Sequence, residues 1–312
     1  MSLIEVKNVT KRFGDKLVLD DISFSIEEGD MFGLIGPNGA GKSTLINIMT
    51  GLWESNIGDV VIGGYSIKKQ PLKVKEQIGL VPQEIALMES VPAYDNLEFF
   101  GSLYGLKGKL LKERINEALE ITGLVDKRKE KVKKYSGGMK RRLNIAAAIM
   151  HHPRILIMDE PTVGIDPQSR NHIFEFAKRM NRENNTTVLY TSHYMEEVEL
   201  LCNNLLIMDL GKEVALGNKK TIKAIISDDC KLFLKLESYS NQLLQSIKML
   251  EGVKECYEEN GQVKLLIREN TFKLDQLLKV LDANRVKAIG INYEESSLEE
   301  VFLSLTGKKL RD

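Results

Sequence analysis

The 312-residue chain has little of what would mark a secreted, membrane-embedded or disulfide-bonded protein. Cysteines number three, Cys202, Cys230 and Cys256, widely spaced and without a CxxC pair. That spacing offers no disulfide framework and no zinc ribbon, and it predicts buried or idle thiols in a reducing cytosol. Aromatic side chains are 6% of the residues, with a single tryptophan, which argues against a base-stacking platform. Neither sign of charge prevails: 44 Lys and Arg against 44 Asp and Glu give a formal net charge of zero. No overall electrostatic footprint addresses nucleic acid or anionic lipid, so no nucleic-acid partner is expected. The longest uninterrupted apolar run, residues 145–150, falls far short of the ~20 residues a bilayer span requires. Glu5 and Lys7 stand where a signal peptide would need an apolar stretch, an expectation against secretion.

What is present is a globular composition, 43% hydrophobic and 28% charged. The length suits about two domains, since one core stops growing near ~250–300 residues. Ile22, Phe24 and Ile26 alternate with Ser23 and Ser25, and the N-terminal segment reads as short strands. Residues 31–35 form an apolar run typical of a strand buried on both faces. It leads into a glycine-rich loop and a helix over 43–49. Residues 57–82 read as strand-rich and 93–150 as mostly helical. Apolar strands at 155–158 and 187–190 flank a helix at 168–182, an order that predicts a parallel sheet with crossover helices. Residues 205–208 and 213–216 read as a hairpin, and 217–220 as a boundary. Beyond it, strands at 231–236, 253–258, 262–268 and 286–293 alternate with helices at 241–250 and 273–282. That β-α-β-β-α-β order is the ferredoxin-like arrangement. A last helix, 297–305, carries Leu298, Val301, Phe302 and Leu305 at helical spacing. The expected organisation is a domain at 1–220, with a helical subdomain at about 84–150, and an α+β domain at 230–312.

Gly36-Pro37-Asn38-Gly39-Ala40-Gly41-Lys42-Ser43-Thr44 matches G-x-x-x-x-G-K-[ST] between a buried strand and a helix. Glycines let successive backbone N–H groups turn toward a phosphate, and the helix N-terminus adds partial positive charge. Lys42 would reach the β/γ-phosphates of a nucleotide, and the Ser43 hydroxyl would complete a Mg²⁺ shell. The apolar strand Ile155–Met158 ends in Asp159 and Glu160. An Asp at that place can hold Mg²⁺ through water, and the neighbouring Glu can polarise the attacking water as general base.

A third motif makes the pattern specific. Tyr135-Ser136-Gly137-Gly138-Met139, whose serine lies 23 residues before Asp159, resembles the LSGGQ signature of ABC transporter nucleotide-binding subunits. It departs at both ends, with Tyr135 for Leu and Met139 for Gln, and keeps the Ser-Gly-Gly centre. The resemblance spans roughly residues 1–220. It implies an α/β P-loop ATPase core with a mixed sheet and helical subdomain, ATP and Mg²⁺ as cofactors, and Ser136, Gly137 and Gly138 facing the γ-phosphate held by another protomer. By the same resemblance Phe13 stacks on adenine. Gln83, after Ile78-Gly79-Leu80-Val81-Pro82, reaches Mg²⁺ and the attacking water. Asp166 lies in the loop that crosses to the opposite protomer, and His193 contacts the γ-phosphate and positions Glu160. The segment 298–307 is similar to the end of ATPases from a drug, antibiotic and lipid exporter branch.

One chain holds one phosphate loop and one signature, which act on opposite sides of a nucleotide. The resemblance therefore implies a head-to-tail homodimer with two ATP molecules in its interface. It implies docking, through the groove beside Gln83 and residues 84–105, on a separately encoded membrane permease, and so a peripheral position on the cytoplasmic face. Two rival readings remain at this stage. An importer ATPase differs in partner and cargo direction. A soluble ABC ATPase of ribosomes or DNA would need two cassettes or a long coiled coil, and only ~90 residues without sustained heptads separate Lys42 from Ser136.

Overall fold

Alternating burial along two twelve-residue strands, β1 (Ser2–Phe13) and β2 (Lys16–Glu27), builds the first sheet of the computed structural model. The structure describes residues 2–225, 229–259, 261–268, 270–294 and 297–306. Ile4, Val6, Val9, Leu19, Ile22 and Ile26 point into the core. The sequence suggests short strands here. The chain instead runs long because register shifts, with Asn8 and Asp21 at φ 50 and 55, bend the pair without ending it. Asn8 Nδ2 donates to Asp21 Oδ1 at 2.9 Å across that bend.

From β2 the chain continues through β3 (Met31–Ile35) and α1 (Lys42–Met49) to β4 (Ile57–Ile62) and β5 (Tyr65–Ser66). The first sheet is antiparallel in the order β2-β1-β4-β5. A short helix, α2 (Pro71–Lys75), then interrupts the stretch expected to be strand-rich. Its proline occupies the first turn, where a missing N–H costs nothing. After β6 (Ile78–Val81) come α3 (Ala93–Leu103), α4 (Gly108–Ile121) and α5 (Gly137–Ile149). The buried stripe Leu111, Ile115, Ala118 and Leu119 fixes the inner face of α4. The remaining elements of this unit are β7 (Ile155–Met158), α6 (Pro167–Asn184), β8 (Thr187–Ser192), α7 (Met195–Leu201), β9 (Asn204–Asp209) and β10 (Lys212–Asn218).

The second sheet has the order β10-β9-β3-β8-β7-β6. Its five pairings are not all alike: β9, β3, β8, β7 and β6 run parallel, and β10 closes the edge as an antiparallel hairpin strand. Every residue of β3, β7 and β8 is buried, as a sheet covered on both faces demands. The sheet is therefore mixed. Parallel strands put the ends of β3, β6, β7 and β8 on one side, where a ligand crevice forms in such folds.

Behind β6, the His151 ring lies flat on Tyr104, centroids 3.6 Å apart, and one ring nitrogen reaches the Ile78 carbonyl at 3.1 Å. Burial pushes its pKa down from 6.5 to about 4. Unfolding between those values exposes an imidazole that binds a proton, so the unfolded chain is favoured as acid is added. The melting temperature should drop as pH falls from 6.5 toward 4, and His151→Gln should flatten that part of the profile. An unchanged slope in the variant would show that other groups govern it.

The chain divides after Asn218. The second unit contains α8 (Lys219–Lys223), β11 (Asp229–Leu236), α9 (Asn241–Lys248), β12 (Val253–Glu259), β13 (Gln262–Arg268), α10 (Leu274–Ala283), β14 (Ala288–Glu294) and α11 (Leu298–Thr306). Its sheet is antiparallel in the order β12-β13-β11-β14, the strand order of a ferredoxin-like fold. Leu243 and Ile247 of α9 and Leu277 and Leu281 of α10 pack with Leu232, Leu234, Val263, Leu265 and Ile267. On α11, Leu298, Val301 and Phe302 are buried, but Leu305, expected on the same stripe, is 37% exposed in the last turn. Cys202 and Cys230 are buried, and burial raises the pKa of the Cys256 thiol to about 11. No helix among the described residues is long and apolar enough to cross a membrane.

Candidate functional site

Gly41 starts α1 with φ 105, a left-handed conformation that a side chain would strain, and it lets the 36–44 loop close over the helix start. Lys42 folds back inside that loop. Its Nζ donates to the carbonyls of Gly36 at 2.7 Å and Pro37 at 3.3 Å, and pairs with Glu160 Oε1 at 3.1 Å. Both side chains are buried. A cavity of about 680 Å³ opens over the loop. Asn38, Gly39, Ala40, Gly41, Lys42, Ser43 and Thr44 form its floor, with Gln83 and Glu160 at one side and Phe13 at another.

The ends of β6, β7 and β8 supply the polar wall. Asp159 Oδ1 accepts a hydrogen bond from Thr191 Oγ1 at 2.8 Å, and the Ser43 hydroxyl also bonds this carboxylate. Burial raises the Asp159 pKa, and the two hydroxyls oppose the rise. Glu160 takes φ 43, a left-handed conformation unusual for glutamate, and its N–H donates to Thr191 Oγ1 at 2.9 Å. That turn aims its carboxylate at two groups besides Lys42: His193 Nδ1 at 3.1 Å and Gln83 Nε2 at 3.5 Å. Gln83, Lys42, Glu160 and His193 thus form one constellation, with Ser43 and Asp159 beside it.

Phe13, at the end of β1, is 43% exposed at the cavity and is not part of the core. The Trp53 ring meets it edge-on, centroids 5.1 Å apart at 77°, and Lys11 Nζ stands 4.9 Å above its centroid. Lys11 Nζ also donates to the Glu54 carbonyl at 2.6 Å, tying the Trp53 loop to β1.

Ser136 caps α5, its Oγ accepting from Met139 N–H at 3.2 Å, and Asp166 caps α6 by accepting from Ser169 N–H at 2.9 Å. Ser169 N–H holds the Asp166 pKa below the usual carboxylate value. The two loops touch within the chain: a Cβ on Gly138 would fall 2.1 Å from Ser169 Oγ. Tyr135, which stands where the signature has Leu, is buried with its hydroxyl donating to the Lys127 carbonyl at 2.7 Å. None of Ser136, Gly137, Gly138 or Asp166 lines the cavity. The sequence motifs therefore fall into two groups, one at the cavity and one away from it.

Sequence reasoning missed several participants. Arg141, on α5, is buried and donates through Nη1 to the Pro82 carbonyl at 2.6 Å and through Nη2 to the Gln83 carbonyl. The helix that follows Ser136 thus grips the loop that carries Gln83. Thr191 bridges Asp159 and Glu160 only because β7 pairs with β8. Leu210, in the β9–β10 turn, also lines the cavity and had no sequence signal.

A family model described as ABC transporter matches residues 19–163. Over 99% of the chain and 100% of the relative, the sequence is 44% identical to the linearmycin resistance ATP-binding protein LnrL of Bacillus subtilis. It is 34% identical to the Nod factor export ATP-binding protein I of Cupriavidus metallidurans, covering 100% and 99% of the two chains. It is 32% identical to the daunorubicin resistance ATP-binding protein DrrA2 of Streptomyces coeruleorubidus, covering 98% and 95%. Among solved structures, CbiO1 of Clostridium perfringens, part of the transporter complex CbiONQ, is similar with a TM-score of 0.66 and 28% identity, over 72% of this chain and 91% of that one. A dimeric, post-hydrolysis structure of the ATP-binding cassette MJ0796 with ADP and Pi gives 0.64 and 26%, over 69% and 98%.

Proposed function

The chain belongs to the ABC transporter ATP-binding family, and from that premise we propose that it is the ATPase of an exporter, working as a head-to-tail homodimer on a separate membrane permease. One observation carries the reading. The cavity that holds Lys42, Ser43, Glu160 and His193 contains none of the signature residues. A second copy could supply Ser136, Gly137, Gly138 and Asp166 to close it over a nucleotide. Phe13 would stack on adenine. The 36–44 loop would hold the phosphates, Glu160 would take the proton of the attacking water, and His193 and Gln83 would orient it. Lys42 would leave Glu160 for the phosphates, so that nucleotide itself frees the base.

Ser43, Asp159 and Gln83 present only oxygen donors to a cation, a set suited to Mg²⁺ with its own waters and phosphate oxygens. When bound, Mg²⁺ would offset phosphate charge. The protein's own part is to keep the Ser43 hydroxyl beside Asp159. Export is supported by similarity along the whole chain to ATP-binding proteins named for drug resistance and Nod factor export. Beside Gln83, the 84–105 segment exposes Met88, Phe99 and Leu103, an apolar surface fit for a permease loop on the cytoplasmic face.

Affinity purification from detergent-solubilised membranes should recover an integral-membrane permease with the chain, and Leu103→Asp should weaken that recovery without lowering ATP affinity. Recovery from the soluble fraction alone, under conditions that preserve complexes, would overturn the permease reading.

A further inference from the structure

Next to Glu160 and His193 lies a buried polar cluster that the proposed hydrolysis does not use. Glu197, on α7, is only 4% exposed. Its Oε2 accepts three hydroxyl hydrogen bonds, from Thr162 Oγ1 at 2.8 Å, Ser192 Oγ at 2.9 Å and Tyr190 OH at 3.0 Å. A carboxylate removed from water is costly unless donors surround it in this way. The donors are not scattered. Thr162 is two residues past Glu160. Ser192 directly precedes His193, and its Oγ also accepts from the N–H of Tyr194, which directly follows. The backbone on both sides of His193 is therefore fastened to one carboxylate oxygen.

The second oxygen behaves differently. Glu197 Oε1 makes no hydrogen bond and faces Arg170 Nε at 3.5 Å, an ion pair without hydrogen-bond geometry. Arg170 sits in the first turn of α6, whose cap is Asp166, and its guanidinium lies 5.9 Å from the centroid of Tyr194. A purely structural knot would satisfy both oxygens. This one is tight toward His193 and slack toward the Asp166 loop.

We propose that Glu197 is a positioning residue that keeps His193 in register with Glu160, and that Arg170 makes this hold responsive to the Asp166 loop. The inference rests on reading His193 and Glu160 as the hydrolytic pair and Asp166 as the element meeting a second subunit. In that setting, contact with the partner shifts the start of α6, draws Arg170 onto Glu197 Oε1, and steadies Ser192, His193 and Tyr194 for turnover. Neither side chain touches nucleotide, so their work shows in kcat and not in binding.

Glu197→Gln is the primary variant, because an amide oxygen still accepts the three hydroxyls while its NH₂ turns a donor toward Arg170. Arg170→Gln cuts the same link from the other side. In the full-length dimer each should lower kcat roughly tenfold, with KM, ATP affinity and melting temperature unchanged. The double variant should be no slower than either single one. In a His193→Ala background, Glu197→Gln should add nothing, since its effect passes through that ring. A kcat loss that multiplies undiminished onto His193→Ala, or that tracks a lowered melting temperature, would reduce Glu197 to a structural role and overturn the proposal. Unchanged kcat in both single variants would overturn it as well. If His193→Ala alone retains full turnover, it is the hydrolytic reading of His193 that fails, a separate and recognisable result.

Discussion

Glu160→Gln should slow ATP hydrolysis by roughly 10²–10⁴-fold while the chain still binds ATP. The amide matches the carboxylate in shape and cannot accept the proton of an attacking water. It can still meet Gln83 and His193, so the wall of the cavity should stand. The change also removes the ion pair that holds Lys42 at 3.1 Å from Glu160 Oε1. Released from that partner, Lys42 should reach phosphate more readily, and ATP affinity should hold or rise. Trp53 gives a direct readout of binding, being the only tryptophan and lying against Phe13. Its emission should respond to ATP in the variant as in the parent chain. If ATP holds the proposed head-to-tail dimer together until it is hydrolysed, a chain that binds without hydrolysing should accumulate as an ATP-dependent dimer in light scattering. A Glu160→Gln chain that turns over at the parental rate, or stays monomeric with saturating ATP, would contradict this account.

The parts of the site legible in sequence are those whose chemistry is local. A loop that must aim consecutive N–H groups at phosphate can be built in few ways, so 36–44 announces itself. Strands buried on both faces, such as Ile155–Met158, read as unbroken apolar runs, and the carboxylates that follow inherit their place from the strand end. The unread parts are non-local. Thr191 matters because β8 lies beside β7, and Arg141 because α5 packs behind the turn after β6; neither fact is written in nearby residues. Glu197 sits among ordinary acidic helix residues, Glu196 and Glu199, and only its inward orientation separates it from them. The length of β1 was hidden for another reason. Its bulge at Asn8 breaks the strict alternation by which strands are recognised, while the ladder on either side continues.

The proposed composite site makes a second prediction of comparable size, and the contrast between two adjacent glycines sharpens it. Gly138 is closed in by Ser169, whereas a Cβ on Gly137 would meet nothing within 4 Å. Gly137 is the first residue of α5, where a carboxylate is welcome to the helix dipole. Gly137→Glu should therefore leave folding, melting temperature and single-chain ATP binding as they are. In the dimer, however, that carboxylate would stand where the partner's γ-phosphate is expected, and turnover should fall by at least ~10²-fold, as when preorganised donors to a developing charge are lost. Lys42→Ala should fail equally from the other half of the site. Mixing the two inactive chains then separates this arrangement from any other. In a mixed dimer one site combines Lys42 of the Gly137→Glu chain with the intact signature of the Lys42→Ala chain, and partial ATPase activity should return. Mixed dimers that form and remain inactive would mean either that turnover needs two intact sites in one dimer or that Ser136 and Gly137 do not face nucleotide. A disulfide trap between a cysteine at Ser136 and one at Asn38 of the other chain decides between these, since only the second case leaves it uncrosslinked with ATP bound.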